Sequence, residues 1–243
     1  MNISKAKCTG KFHRENGIPN QDYVLVSHIA ENISIAVLAD GAGSKKYGGQ
    51  TAGYIMKYVE QYCRDYADCE DFLDVVKDGL FSYVNDKLIG KVQEEGAAID
   101  AYGATMLFAI VCDYKYVAGH MGDGVILCKN ASPFQVLSLP DNGEYINQTY
   151  FIPTITDKDR FRIYEGELGE EFCFILTSDG MSGTLYNQLD NQVSPVCEKM
   201  YQWCKKYTSE ECDEILEENL IQVFDKYTDD DKSIAIICDE IIR

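Results

Sequence analysis

Apolar and polar positions along the chain follow two periods. Residues 23–26 are apolar, Glu31-Asn32 reads as a turn, and Ile33 to Asp40 is an almost unbroken apolar run ending on a carboxylate with Gly41-Ala42-Gly43 beyond it. Runs of this kind are strands, the second one buried on both faces. Upstream, residues 3–12 form a weak first strand, and Lys11 to Asp22 reads as a polar loop punctuated by Gly17 and Pro19. The period then changes. Ala52, Ile55, Met56, Val59, Tyr62, Cys63 and Tyr66 recur at helical spacing, predicting an amphipathic helix over 49–66, and Phe72, Val76, Leu80, Val84, Leu88 and Val92 predict a second. A meander of strands follows at 105–111, 116–121, 125–129 and 134–139, with Gly122-Asp123-Gly124 read as a hairpin tip. Residues 140–160 are irregular, with a short strand at 149–152. Strands return at 161–164 and 171–177. Ser194 and Ser209 read as caps of two further helices, and 233–239 is a closing strand.

Two long consecutive helices argue against alternating βαβ units. They suit helices laid on the outside of antiparallel sheets, so the predicted class is α+β, a two-layer sheet core flanked by helix pairs. Without a low-complexity linker, and with five prolines in 243 residues, the expectation is a single domain over 1–243. The net charge of −18 repels phosphate backbones and anionic lipid, which speaks against nucleic acid and membrane as partners. No apolar run approaches the roughly 20 residues of a membrane span. The N-terminus lacks a signal-peptide pattern. The ten cysteines, which include Cys63, Cys112, Cys128, Cys173 and Cys238 in apolar segments, therefore predict reduced thiols in a cytoplasmic protein.

The chemistry lies at strand ends. Asp40, Asp123 and Asp179 each stand before a glycine at the end of an apolar segment, and Asp229-Asp230-Asp231 runs into the last strand. One strand-end aspartate is ordinary turn chemistry. Four brought together would be a site for divalent cations, because buried carboxylates are costly unless paired or bound to metal. Taken in order, Asn20-Gln21-Asp22, Ala39-Asp40-Gly41-Ala42-Gly43, Gly103-Ala104-Thr105, Gly122-Asp123, Ser178-Asp179-Gly180 and Asp230-Asp231-Lys232-Ser233 resemble the metal-dependent protein phosphatases of the protein phosphatase 2C family, in particular its short bacterial branch. The resemblance spans residues 9 to 239.

It implies a four-layer αββα sandwich of mainly antiparallel sheets and a cytoplasmic serine/threonine phosphatase carrying two Mg²⁺ or Mn²⁺ ions. It further implies that Asp40 bridges the ions with help from the Gly41 carbonyl, that Asp179 and Asp230 are direct ligands, and that Asp22 serves the second ion. The same resemblance implies that Asp123 serves a third, weaker ion. Expected substrates are phosphoserine and phosphothreonine proteins of a cognate kinase system, acted on by a monomer. The chain also departs from the family pattern. Gly17 stands where a phosphate-binding Arg is usual, leaving His13 or Arg14 for that task, and Ala42 replaces a histidine common after Asp-Gly. These losses keep open a second class, a catalytically weak member that binds phosphoproteins as a regulatory module. Asp229, Asp231 and residues 210–218 read as solvated charges, His28 and His120 as structural, and Thr105 as a core residue.

Overall fold

A computed structural model describes residues 1–141, 149–188, 190 and 192–239. Its core is two five-stranded antiparallel sheets. One runs β1 (Asn2–Cys8), β12 (Lys232–Cys238), β9 (Phe172–Thr177), β6 (Val125–Asn130), β7 (Gln135–Ser138). The other runs β2 (Asp22–Ala30), β3 (Ile33–Asp40), β4 (Met106–Cys112), β5 (Lys115–Met121), β8 (Arg162–Glu167). Strand alternation assigns each residue to a layer. On β3, Ile33, Ile35, Val37 and Ala39 face helices α2 (Gly48–Tyr66) and α3 (Phe72–Glu94), whereas Ala36 and Leu38 meet Leu107, Ile126, Phe174, Leu176 and Ile237 between the sheets. Helices α5 (Val196–Lys206) and α6 (Ser209–Gln222) cover the other sheet through Met200, Cys204, Cys212, Leu216 and Leu220. The result is the expected αββα sandwich. The apolar stretches at its centre are continuous rather than alternating because both of their faces are buried.

Several local expectations are corrected. Residues 11–16 are not loop but a short helix, α1 (Lys11–Asn16), ended by Gly17 in the left-handed conformation at φ 65° and tied by Phe12 N–H to the Asp229 carbonyl at 3.1 Å. It buries nothing, so no apolar stripe betrays it in the sequence. The Gly122-Asp123-Gly124 turn is not a hairpin tip, since β5 and β6 lie in different sheets. Gly122, at φ 121°, lets the chain cross between them where a Cβ would stand 2.5 Å from the Thr105 side chain. Residues 149–152 form no strand, and Ile152 makes an isolated bridge with Ala104. After β9 the chain turns into α4 (Asp179–Leu185), and β10 (Tyr186–Asn187) pairs with β11 (Gln192–Val193). Pro195, not Ser194, occupies the cap position of α5. Thr208, not Ser209, caps α6, its hydroxyl accepting from Glu211 N–H while the Glu211 carboxylate accepts from Thr208 N–H. The Asn142-Gly143 part of the irregular stretch lies outside the described residues.

All ten cysteines are free thiols, eight of them buried, with Cys69 exposed and Cys112 half-buried. Among the described residues no helix is long and apolar enough to cross a membrane.

Candidate active site

Register builds the site. Antiparallel pairing of β2 with β3 sets Asp22 directly opposite Asp40, a juxtaposition the sequence left undetermined. Thr105, just before β4, then locks the end of β3. Its hydroxyl accepts from Asp40 N–H at 2.9 Å, and its own N–H donates to the Asp40 carbonyl at 2.8 Å. From the opposing sheet come Asp179, at the start of α4, and Asp230, just before β12. Asp123 enters from the sheet-crossing turn. A cavity of about 190 Å³ results, lined by Asp40, Gly41, Asp123, Asp179 and Asp230 together with His13, Gln21, Ala42, Gly43, Thr105, Phe151 and Asp231.

The carboxylates are in electrostatic conflict. Burial, and then the charges of Asp22, Asp179 and Asp123, hold the Asp40 carboxyl well above the usual range. Asp179 is exposed at the start of α4, yet partial loss of water around its carboxyl and the charges of Asp123 and Asp230 push it up to about 7. Asp123 is raised by burial, against the pull of the Thr149 hydroxyl, which donates to it at 2.6 Å. Asp22 lies wholly buried behind Asp40, both carboxylate oxygens without a hydrogen-bond partner. Burial raises it to about 6, while the nearby hydroxyls of Ser233 and Ser178 pull the other way without making a proper bond.

No lysine or arginine lies among the described lining residues. Oxygen donors of this type suit hard divalent cations. Among the described residues, no three acidic, histidine or cysteine side chains form a ready coordination sphere. The carboxylates of Asp40, Asp123, Asp179 and Asp230 nevertheless share one cavity.

The two basic candidates separate. His13 lines the cavity. Arg14, on the next position of α1, points away: its guanidinium reaches both oxygens of Asp225 at 2.6 and 3.3 Å and bonds the Thr9 carbonyl. The residue that sequence reasoning missed is Asp231. It is 4% exposed, and its carboxylate accepts from Gly10 N–H at 2.7 Å, Gln21 N–H at 2.7 Å and His13 Nδ1 at 2.9 Å. Nothing in the run of three aspartates signals it, since β12 begins only at Lys232.

Solved structures share the fold across almost the whole chain. A bacterial serine phosphatase has a TM-score of 0.72 at 15% identity, covering 98% of this chain and 97% of that one. The S. agalactiae serine/threonine phosphatase has a TM-score of 0.69 at 16% identity, covering 96% and 97%. The catalytic domain of the serine threonine protein phosphatase PstP, in complex with two manganese ions, has a TM-score of 0.69 at 15% identity, covering 98% and 96%. No curated protein matches significantly. A family model described as Protein phosphatase 2C matches residues 9–221, and with that match over most of its length the chain belongs to the protein phosphatase 2C family.

Proposed function

We propose that the protein is a divalent-metal-dependent phosphatase of phosphoserine and phosphothreonine proteins. The observation that carries this reading is the gathering of Asp40, Asp123, Asp179 and Asp230, delivered by both sheets, in one cavity whose described lining has no lysine or arginine. Asp40, the Gly41 carbonyl, Asp179 and Asp230 would hold a pair of Mg²⁺ or Mn²⁺ ions, with Asp22 behind Asp40 and Asp123 placed for a third, weaker ion. Ions bound there supply an acidified water and neutralise charge on the phosphoryl oxygens. The chain's own contribution is placement. Thr105 fixes the backbone of Asp40, Phe151 walls the cavity, and His13 offers a ring nitrogen to the phosphate.

A second reading, a regulatory module that binds phosphoproteins with little turnover, is favoured by one observation. Arg14, a candidate phosphate ligand, is engaged by Asp225 rather than directed into the cavity. Hydrolysis of p-nitrophenyl phosphate decides between the two. The phosphatase reading expects turnover that EDTA abolishes and Mn²⁺ restores. Activity undiminished by excess chelator would remove the metal mechanism, and phosphopeptide binding without turnover would establish the module.

A further inference from the structure

A second cavity, of about 340 Å³, shares the Phe151 wall with the carboxylate cavity. The rest of its lining comes from residues 99–102, the 149–157 segment and one lysine, Lys45. Lys45 follows closely on Gly41, Ala42 and Gly43, which line the carboxylate cavity. The backbone beneath it is held. Lys45 N–H donates to the Ala42 carbonyl at 2.9 Å, and Ala42 N–H donates to the Gly103 carbonyl at 3.0 Å. Gly103 lets two side chains close over it, since a Cβ there would stand 3.0 Å from Lys45 Cγ and 3.4 Å from Phe151 Cβ. The lysine stem is thus laid beside Phe151, as lysines cover apolar surface while keeping the ammonium at its edge.

That ammonium is unclaimed. Lys45 is half-buried, yet among the described residues its head has no ion-pair or hydrogen-bond partner. Carboxylates are not scarce in a chain with 40 acidic residues against 22 basic ones. Lys77, Lys91, Lys129, Lys205 and Lys232 each pair with one. Asp100 and Asp157 line the same cavity as Lys45, both exposed, and neither comes within ion-pair distance of it. Lys45 does not line the carboxylate cavity, so its charge stands beside the seat of the reacting phosphate and not in it.

A phosphorylated residue seated among Asp40, Asp123, Asp179 and Asp230 carries its flanking chain out over the cavity walls, of which Phe151 is one. Beyond Phe151 that chain meets Pro153, the exposed Ile155 and the Lys45 ammonium. We infer that this second cavity is a subsite for the segment next to the phosphorylated residue, and that Lys45 selects an aspartate or glutamate there. The inference rests on the phosphatase reading above and names its substrate class. A net charge of −18 disfavours acidic segments in general. A fixed ammonium at this one place attracts a carboxylate and repels a lysine or arginine, and specificity is that difference.

The test uses alanine-based peptides around one phosphothreonine, with a single Glu or a single Lys one, two or three residues before or after it. With Mn²⁺, Glu at one or two of these positions should lower KM about 3- to 5-fold against the all-alanine peptide, the size of one partly exposed ion pair, with little change in kcat. Lys45→Met keeps the stem over Gly103 and should abolish that preference while leaving the KM of the all-alanine peptide in place. Lys45→Glu should turn the preference toward the Lys peptides. No favoured Glu position in wild type, a preference that survives Lys45→Met, or an equal loss on every peptide would overturn the subsite. Fluorescence anisotropy with the same peptides, labelled and carrying a non-hydrolysable phosphonate, reads the preference without turnover. A Glu preference in anisotropy that Lys45→Met removes, without turnover of any peptide, overturns the phosphatase reading and upholds the subsite. Turnover without any preference does the reverse.

Discussion

At Asp40 the interests of fold and site conflict. Its carboxyl, half-buried, is short of water beside Asp22, Asp179 and Asp123, and each neighbour adds repulsion. Asp40→Asn should therefore take Mn²⁺-dependent turnover below detection while raising the melting temperature of the metal-free protein, because one charge of the cluster is gone. Circular dichroism melts check this; an unfolded variant would show instead that the carboxylate holds the fold. Asp123 has a milder expected effect. The Thr149 hydroxyl already engages it, and the proposed pair of ions has Asp40, Asp179 and Asp230. Asp123→Asn should keep both tight Mn²⁺ sites in calorimetry and lower kcat. Loss of the tight sites would place Asp123 among their ligands. The neighbouring aspartates 229–231 show where residue-level reading stops. Three identical side chains in a row carry no label for direction. The tertiary contacts alone separate them: Asp229 and Asp230 are exposed, whereas Asp231 turns inward against Gly10, Gln21 and His13.

Elements whose burial is periodic were legible, and elements held by polar contacts were not. Helices α2 and α3 announce themselves through Ile55, Val59, Val76, Leu80 and Val84, all fully buried. By contrast α1 has no buried residue, and the crossing from β5 to β6 turns on one glycine with a positive φ, so both went unread. The same kind of polar fixation suggests a test. Asn85, fully buried on α3, donates to the Thr154 carbonyl at 3.0 Å and accepts from Thr154 N–H at 2.8 Å, pinning the segment that carries Phe151 into the cavity wall. Asn85→Ala would strand two backbone groups in a dry place. It should cost about 1–3 kcal/mol in urea denaturation and make the 149–157 segment the earliest site of proteolysis. A variant as stable as wild type would mean that water replaces the amide.

For the whole molecule, the raised carboxyls link stability to pH. Asp22 at about 6 and Asp179 at about 7 bind protons in the folded state at pH values where the unfolded chain, with carboxyls near 3.8, has released them. Their contribution to stability is fully present below pH 3.8 and is lost as pH rises through 6 and 7. The metal-free protein should thus melt a few degrees lower at pH 8 than at pH 5. Saturating Mn²⁺ should remove that slope, since a cation offsets the same repulsion; a melting temperature that does not fall over this range contradicts the charge conflict. The placement of these groups has a mechanical side as well. Asp22 and Asp40 hang from one sheet, whereas Asp179 and Asp230 hang from the other, and all four stand at one rim of the sandwich. The opposite rim holds the Glu31-Asn32 turn, where Asp113 N–H donates to the Asn32 carbonyl at 3.0 Å. A cation gripped by both sheets would act as a buckle on one side only. Unfastening it with chelator should let the sandwich gape from that rim, with amides near 40–41 and 178–180 exchanging hydrogen faster while those near 31–35 keep their pace.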